Sequence, residues 1–147
     1  MNESFIEFEI LETSRFELLC HVFEALSRAK KSGDFHDDDY WLGFFDNAAK
    51  SYFWWPTNDE ISDWKLRWDA TPVDERITEP GLQIPWLFGS MIDAIRETEF
   101  ELARCVSISD TIGRLEFLPH TGPYGGPDSL RALIESFGFQ VTNEGGT

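Results

Sequence analysis

The sequence predicts an α+β domain over residues 1–147: one mixed, mostly antiparallel sheet with about four helices, mainly on one of its faces. Three observations predict it. Apolar and polar residues alternate near both ends of the chain, as strands with one wet face require. Between these runs, apolar residues recur every three or four positions, the period of a half-buried helix. Gly, Pro and Asp cut both kinds of run into short pieces, which gives the order β-α-β-β-α-α-β-β-α-β. No repeat, low-complexity tract or internal linker interrupts that order.

Each element follows from local chemistry. In "FIEFEI", Ile6, Phe8 and Ile10 alternate with Glu7 and Glu9, which reads as a strand. "SRFE" has capping-box spacing, with Ser14 to cap a helix and Glu17 to reach back. Phe16, Leu19, Cys20, Phe23 and Leu26 then form a helical stripe. Lys30 and Lys31 suit its negative end, and Gly33 stops it. The aromatic runs at 40–45 and 51–55, either side of "DNAAK", read as a β-hairpin closed by Pro56. Thr57 and Glu60 repeat the capping box, and Ile61, Trp64 and Trp68 share a helical face until Thr71-Pro72. Residues 72–81 read as a loop. Pro85 suits a first helical turn, and Leu87, Phe88, Met91, Ile92 and Ile95 give that third helix its stripe. In "EFELARCVSIS", Phe100, Leu102, Val106 and Ile108 share a strand face, Arg104 breaks the pattern, and Cys105 falls on the opposite, accessible face. "DTIG" turns the chain into "RLEFLP", where Leu115 and Phe117 face together. A fourth helix runs from Pro127 to Phe137, Gly138 stops it, and "FQVT" is a last short strand.

Composition bounds the function. With 41% hydrophobic and 15% aromatic residues, the chain has the apolar material for a core. Its 27 acids against 12 bases leave a net charge of −15, which disfavours nucleic acid and anionic membrane surfaces as partners. A basic protein partner fits that charge. The excess is uneven: residues 1–75 carry 17 acids and 7 bases, residues 76–147 carry 10 and 5. The opening "MNESFIEFEI" is acidic where a secretion signal is basic, and no apolar run approaches the ~20 residues of a membrane span. Two cysteines without C-x-x-C spacing complete the expectation of a cytoplasmic chain with free thiols and no metal or other cofactor. Cys20, on the core stripe, is expected to have a raised pKa and to be inert.

Chemistry-bearing stretches are few. "HTGPYGGPDSL" has the glycines of an anion loop but lacks the Gly-Lys-Ser/Thr ending. Pro127 and Asp128 explain it as a helix start, with Asp128 already on the positive helix end. His120, with Tyr124 beside it in that loop, forms an acid–base or metal candidate if it meets His36 and the run Asp37, Asp38 and Asp39. No activated nucleophile or dinucleotide fingerprint is present. Six Trp are the other anomaly. Trp54 and Trp55 are adjacent, and on a strand they point to opposite faces, so one is covered by a second layer or exposed.

The resulting expectation is a non-catalytic acidic binding protein, of the immunity or inhibitor type, that masks a basic partner. Its candidate contact residues are Asp37, Asp38, Asp39, Tyr40, Trp41, Trp54 and Trp55, within the acidic and aromatic stretch 34–69. The alternatives are a small enzyme using His36, His120 and the Asp cluster, and a sugar or small-ligand binder using an exposed Trp.

Overall fold

A computed structural model describes residues 4–82, 86–97, 100–119 and 127–146. The elements in chain order are β1 (Ser4–Glu9), α1 (Thr13–Ser32), α2 (Asp38–Leu42), α3 (Asn47–Lys50) and α4 (Asn58–Ala70). Two 3-10 turns follow, Val73–Glu75 and Pro80–Leu82. Then come α5 (Phe88–Glu97), β2 (Phe100–Ser107), β3 (Ile112–Pro119), α6 (Asp128–Ser136) and β4 (Val141–Gly146). The fold is α+β, as the sequence predicts, with a four-stranded antiparallel sheet in the order β2-β3-β1-β4.

Alternation decides which face of the sheet is covered. Ile6 and Phe8 of β1, Phe100 and Leu102 of β2, and Leu115 and Phe117 of β3 are buried. They join one core cluster with Leu19, Val22, Phe23 and Leu26 of α1, Met91, Ile92 and Ile95 of α5, and Leu130, Leu133 and Ile134 of α6. The intervening β1 and β3 residues carry an ion-pair row. Glu7 lies opposite Arg114 in the register and accepts two hydrogen bonds from it. Arg104 Nε donates to Glu116 Oε1 at 2.5 Å, which leaves Glu116 only 5% exposed under its partners. Arg114 also lies over the Phe5 ring, 4.5 Å from its centroid.

Close packing at β1 and β3 leaves no room for one side chain. A Cβ on Gly113 would sit 2.5 Å from a Phe8 ring carbon and 3.0 Å from a Phe16 ring carbon. Phe8 is fully buried and stacked on Phe139, so its ring has nowhere to go. Gly113→Ala is therefore expected to destabilise the protein by about 1–3 kcal/mol, read as a lower urea midpoint. An unchanged midpoint would show that Phe8 has room to shift.

Two expected helix stops hold. Gly33 and Gly138 adopt positive φ, 74° and 89°, and Gly33 N–H donates to Ala29 O at 2.9 Å. Thr57 and Glu60 form the expected capping box. Ser14 does not cap: α1 begins at Thr13, the N-cap is Glu12, and that side chain makes no capping bond. Phe16 N–H instead bonds to Glu12 O, so the helix starts two residues earlier than the Ser-x-x-Glu spacing suggests.

The expected hairpin at 40–55 is replaced by α2 and α3. Each is opened by an aspartate: Asp37 Oδ1 accepts from Tyr40 N–H at 3.1 Å, and Asp46 Oδ1 from Ala49 N–H at 2.9 Å. These local caps prevail over the β preference of the aromatic residues. Trp41, Phe45, Ala49 and Phe53, each four apart, all end up buried. A helical period had been written across the segment alongside the strand-like composition.

Arg15 ties three elements together. Its Nε donates to Phe137 O at 2.8 Å, beyond α6, and its guanidinium pairs with Asp46 at 2.5 Å. The Arg15 bond, followed by the Ala49 N–H, holds the Asp46 carboxyl below its ordinary range. Its folded-state pKa is depressed, so the stabilisation is present above pH ~4 and is lost as pH falls through the folded value. Asp46 is 40% exposed, so the ion pair is screened and the cap dominates. Asp46→Ala is expected to cost about 1 kcal/mol at neutral pH. The gap to the parent protein should shrink when the urea midpoints are compared in acid; a gap that widens there reverses the assignment.

Candidate functional site

The stretch from Asp34 to Glu79 holds 12 acids and 4 bases, net −8 of the chain's −15. Its acids have unequal roles. Asp37 and Asp46 are helix caps. Asp38 lies against α5, where its carboxylate would meet a Cβ placed on Gly89 at 2.7 Å. Asp39 is exposed on α2, as are Asp59, Glu60 and Asp63 in the first half of α4.

The aromatic residues separate more sharply. Trp41 is 1% exposed, and its indole N–H donates to His36 O at 3.1 Å. It belongs to the core and leaves the candidate contact set. Tyr40, one position earlier in α2, is 44% exposed, with the His36 ring 3.9 Å from its own. Trp54 is half-buried, and its backbone N–H donates to Trp86 O. Trp55 is 52% exposed. Its indole N–H donates to Lys50 O at 2.7 Å, and its ring lies near-parallel to Phe88, centroids 6.1 Å apart. Of the two alternatives for the adjacent Trp, a covering layer or exposure, Trp55 takes exposure, but the strand premise does not hold: both residues follow α3.

Helix α4 is held at the edge of the fold and buries no residue fully. Trp64 and Trp68 stack on each other at 5.1 Å, Trp64 Nε1 donates to Leu82 O, and Arg76 covers Trp68 at 5.0 Å. Leu66 on this helix, with Val73 and Ile77 just after it, is left exposed.

The acid–base candidate has not been assembled among the described residues. His120 and Tyr124 lie outside them. His36 is engaged with Tyr40 and Trp41 through its ring and carbonyl. Among the described residues, no three His, Cys, Asp or Glu side chains are grouped to hold a metal ion. At the start of α6, Asp128 pairs with Arg131, which also binds Glu144 at 2.8 Å. The base nearest that helix start is thus committed to carboxylates.

One pairing escaped sequence reasoning. β2 carries a bulge between Leu102 and Arg104, so Ala103 is an extra residue against β3. Beyond it the strand's alternation reverses. Cys105 lies opposite the buried Leu115, on the core side rather than the accessible one, while Ile108 is 48% exposed. Cys105 thereby meets Cys20, whose Sγ donates to Cys105 O at 3.4 Å. The Arg104 interruption in the apolar pattern was the signal of this bulge.

Among the described residues, no helix is long and apolar enough to cross a membrane. Comparison with protein-family models, curated proteins and solved structures finds no match to this chain.

Proposed function

We propose that the protein is a non-catalytic acidic binding protein of the immunity or inhibitor type, which masks a basic protein partner in the cytoplasm. The observation that supports this most is Trp55: a half-exposed indole, fixed by its bond to Lys50 O, within a stretch of net charge −8. Exposed aromatic rings with little freedom to lose make strong interface anchors, because immobilising them costs little entropy. The surrounding carboxylates draw a basic partner in from a distance and repel acidic ones, nucleic acid included. The exposed Leu66, Val73 and Ile77 add apolar surface to the same stretch.

The test uses the product of the adjacent gene as the purified partner, titrated calorimetrically at low and high salt. A 1:1 complex whose affinity falls with salt supports the reading. Salt-independent association, or a Trp55 fluorescence response to simple sugars with no protein complex, replaces it with the ligand-binder alternative.

A further inference from the structure

Cys20 on α1 and Cys105 on β2 are the chain's two cysteines, and the fold sets them side by side from 85 positions apart. Cys20 Sγ donates to Cys105 O at 3.4 Å. Both residues are half-buried. Cys105 also lines an open cleft of about 330 Å³ between α1 and β2. Arg28 and Lys31 line that cleft with Glu24, and Arg104, also in the lining, is paired with Glu116, which leaves the cleft an excess of one base in a strongly acidic chain.

We propose that Cys20 and Cys105 form a reversible oxidation site, closed to an intrachain disulfide by a small anionic disulfide of the glutathione type. The thiolate of one cysteine attacks one sulfur of glutathione disulfide. That S–S bond breaks, and one glutathione leaves as a thiolate and takes up a proton. The other cysteine then gives its proton to solvent and attacks the protein sulfur of the mixed disulfide, expelling the second glutathione thiolate. Two protein thiols are oxidised, one disulfide is reduced to two thiols, and no other reactant is needed.

Contact with Cys105 lowers the Cys20 thiol, against burial and the charges of Glu24 and Glu17, and contact with Cys20, with burial, raises the Cys105 thiol. The expectation of a raised Cys20 pKa is corrected in its direction: the stripe position is right, but its neighbour is a second cysteine. Arg28 and Lys31, which line the cleft at Cys105, favour an oxidant that carries carboxylates. In a reducing glutathione pool both groups stay thiols, and a shift toward the disulfide closes the bond.

The closed bond ties α1 to the sheet's edge strand and loops around α2 to α5, the whole acidic stretch included. This site does not depend on the binding function, so the two readings fail separately. The experiment incubates native protein with mixtures of reduced and oxidised glutathione, then alkylates it and maps peptides without reduction. The expected product is a monomer that has lost two hydrogens, joined Cys20 to Cys105, and reopens in reduced glutathione. Its thermal midpoint should rise by about 10 °C, as constraining a long loop requires. Cys105→Ser and Cys20→Ser should each stop at a glutathione adduct on the remaining cysteine. A stable adduct on the unaltered protein, disulfide-linked dimers, or native thiols that react no faster than those of the denatured chain would each overturn the proposal.

Discussion

Trp41→Ala is expected to cost about 3–5 kcal/mol of stability, a large share of the ~5–15 kcal/mol that holds a typical domain. The indole is 1% exposed and packed among aromatic rings: Phe35 at 5.0 Å, Tyr40 at 5.1 Å and Phe44 at 5.6 Å between centroids. Truncation opens a cavity that rigid rings cannot collapse into, and the His36 carbonyl loses its donor. Trp41→Phe keeps most of the volume and should recover more than half of the loss. Urea denaturation followed by far-UV circular dichroism measures both variants. A loss under ~1 kcal/mol for Trp41→Ala would mean that α2 is only loosely attached to the core.

Trp41 also shows what the sequence could and could not disclose. The two outer parts of the chain were legible because one signal dominates each: period two in β1, a helical stripe with a glycine stop in α1, and apolar faces in α5 and α6. In the middle the signals conflict. Residues 40–55 are rich in strand-favouring aromatics, yet Asp37 and Asp46 each sit three residues before an amide that they cap. Propensity is a sum of weak preferences, and two good caps with a buried row at Trp41, Phe45, Ala49 and Phe53 outweigh it. Ser14 failed in the opposite way: its spacing fits a capping box, but backbone geometry placed the helix start two residues earlier. The candidate surface was half-legible for the same reason. Adjacent Trp54 and Trp55 left a covering layer and exposure both open, and which of the two holds, and that Trp41 is core, depends on a helix rather than a strand. Cys105 was misplaced because a single-residue bulge inverts every side chain beyond it.

On the binding proposal, Trp55→Ala is expected to shorten the complex lifetime by ~30- to 1,000-fold, the equivalent of ~2–4 kcal/mol, with little change in fold stability. The ring is half exposed in the free protein, so removing it opens no buried cavity, and its loss is felt where a partner would cover it. Trp54 makes a poorer test: it is half-buried, and truncation mixes folding with binding. The acids should act on the other rate. Exposed charges steer encounter over a range set by salt, ~10 Å at 0.1 M, and contribute little to the bound complex when they stay hydrated at its rim. Asp38 and Asp39 can be changed to Asn freely, whereas Asp37 is a cap; Asn at that position caps nearly as well, so Asp37→Asn removes charge and keeps the helix. The triple Asn variant should therefore slow association severalfold at low salt, converge with the parent protein at high salt, and leave dissociation nearly unchanged. Stopped-flow or surface-based kinetics with the partner at two salt concentrations separates the two effects. If Trp55→Ala leaves the lifetime intact, or the partner's contacts lie entirely beyond residue 100, the acidic stretch is a solvated face and the binding surface must be sought on the ion-paired side of the sheet.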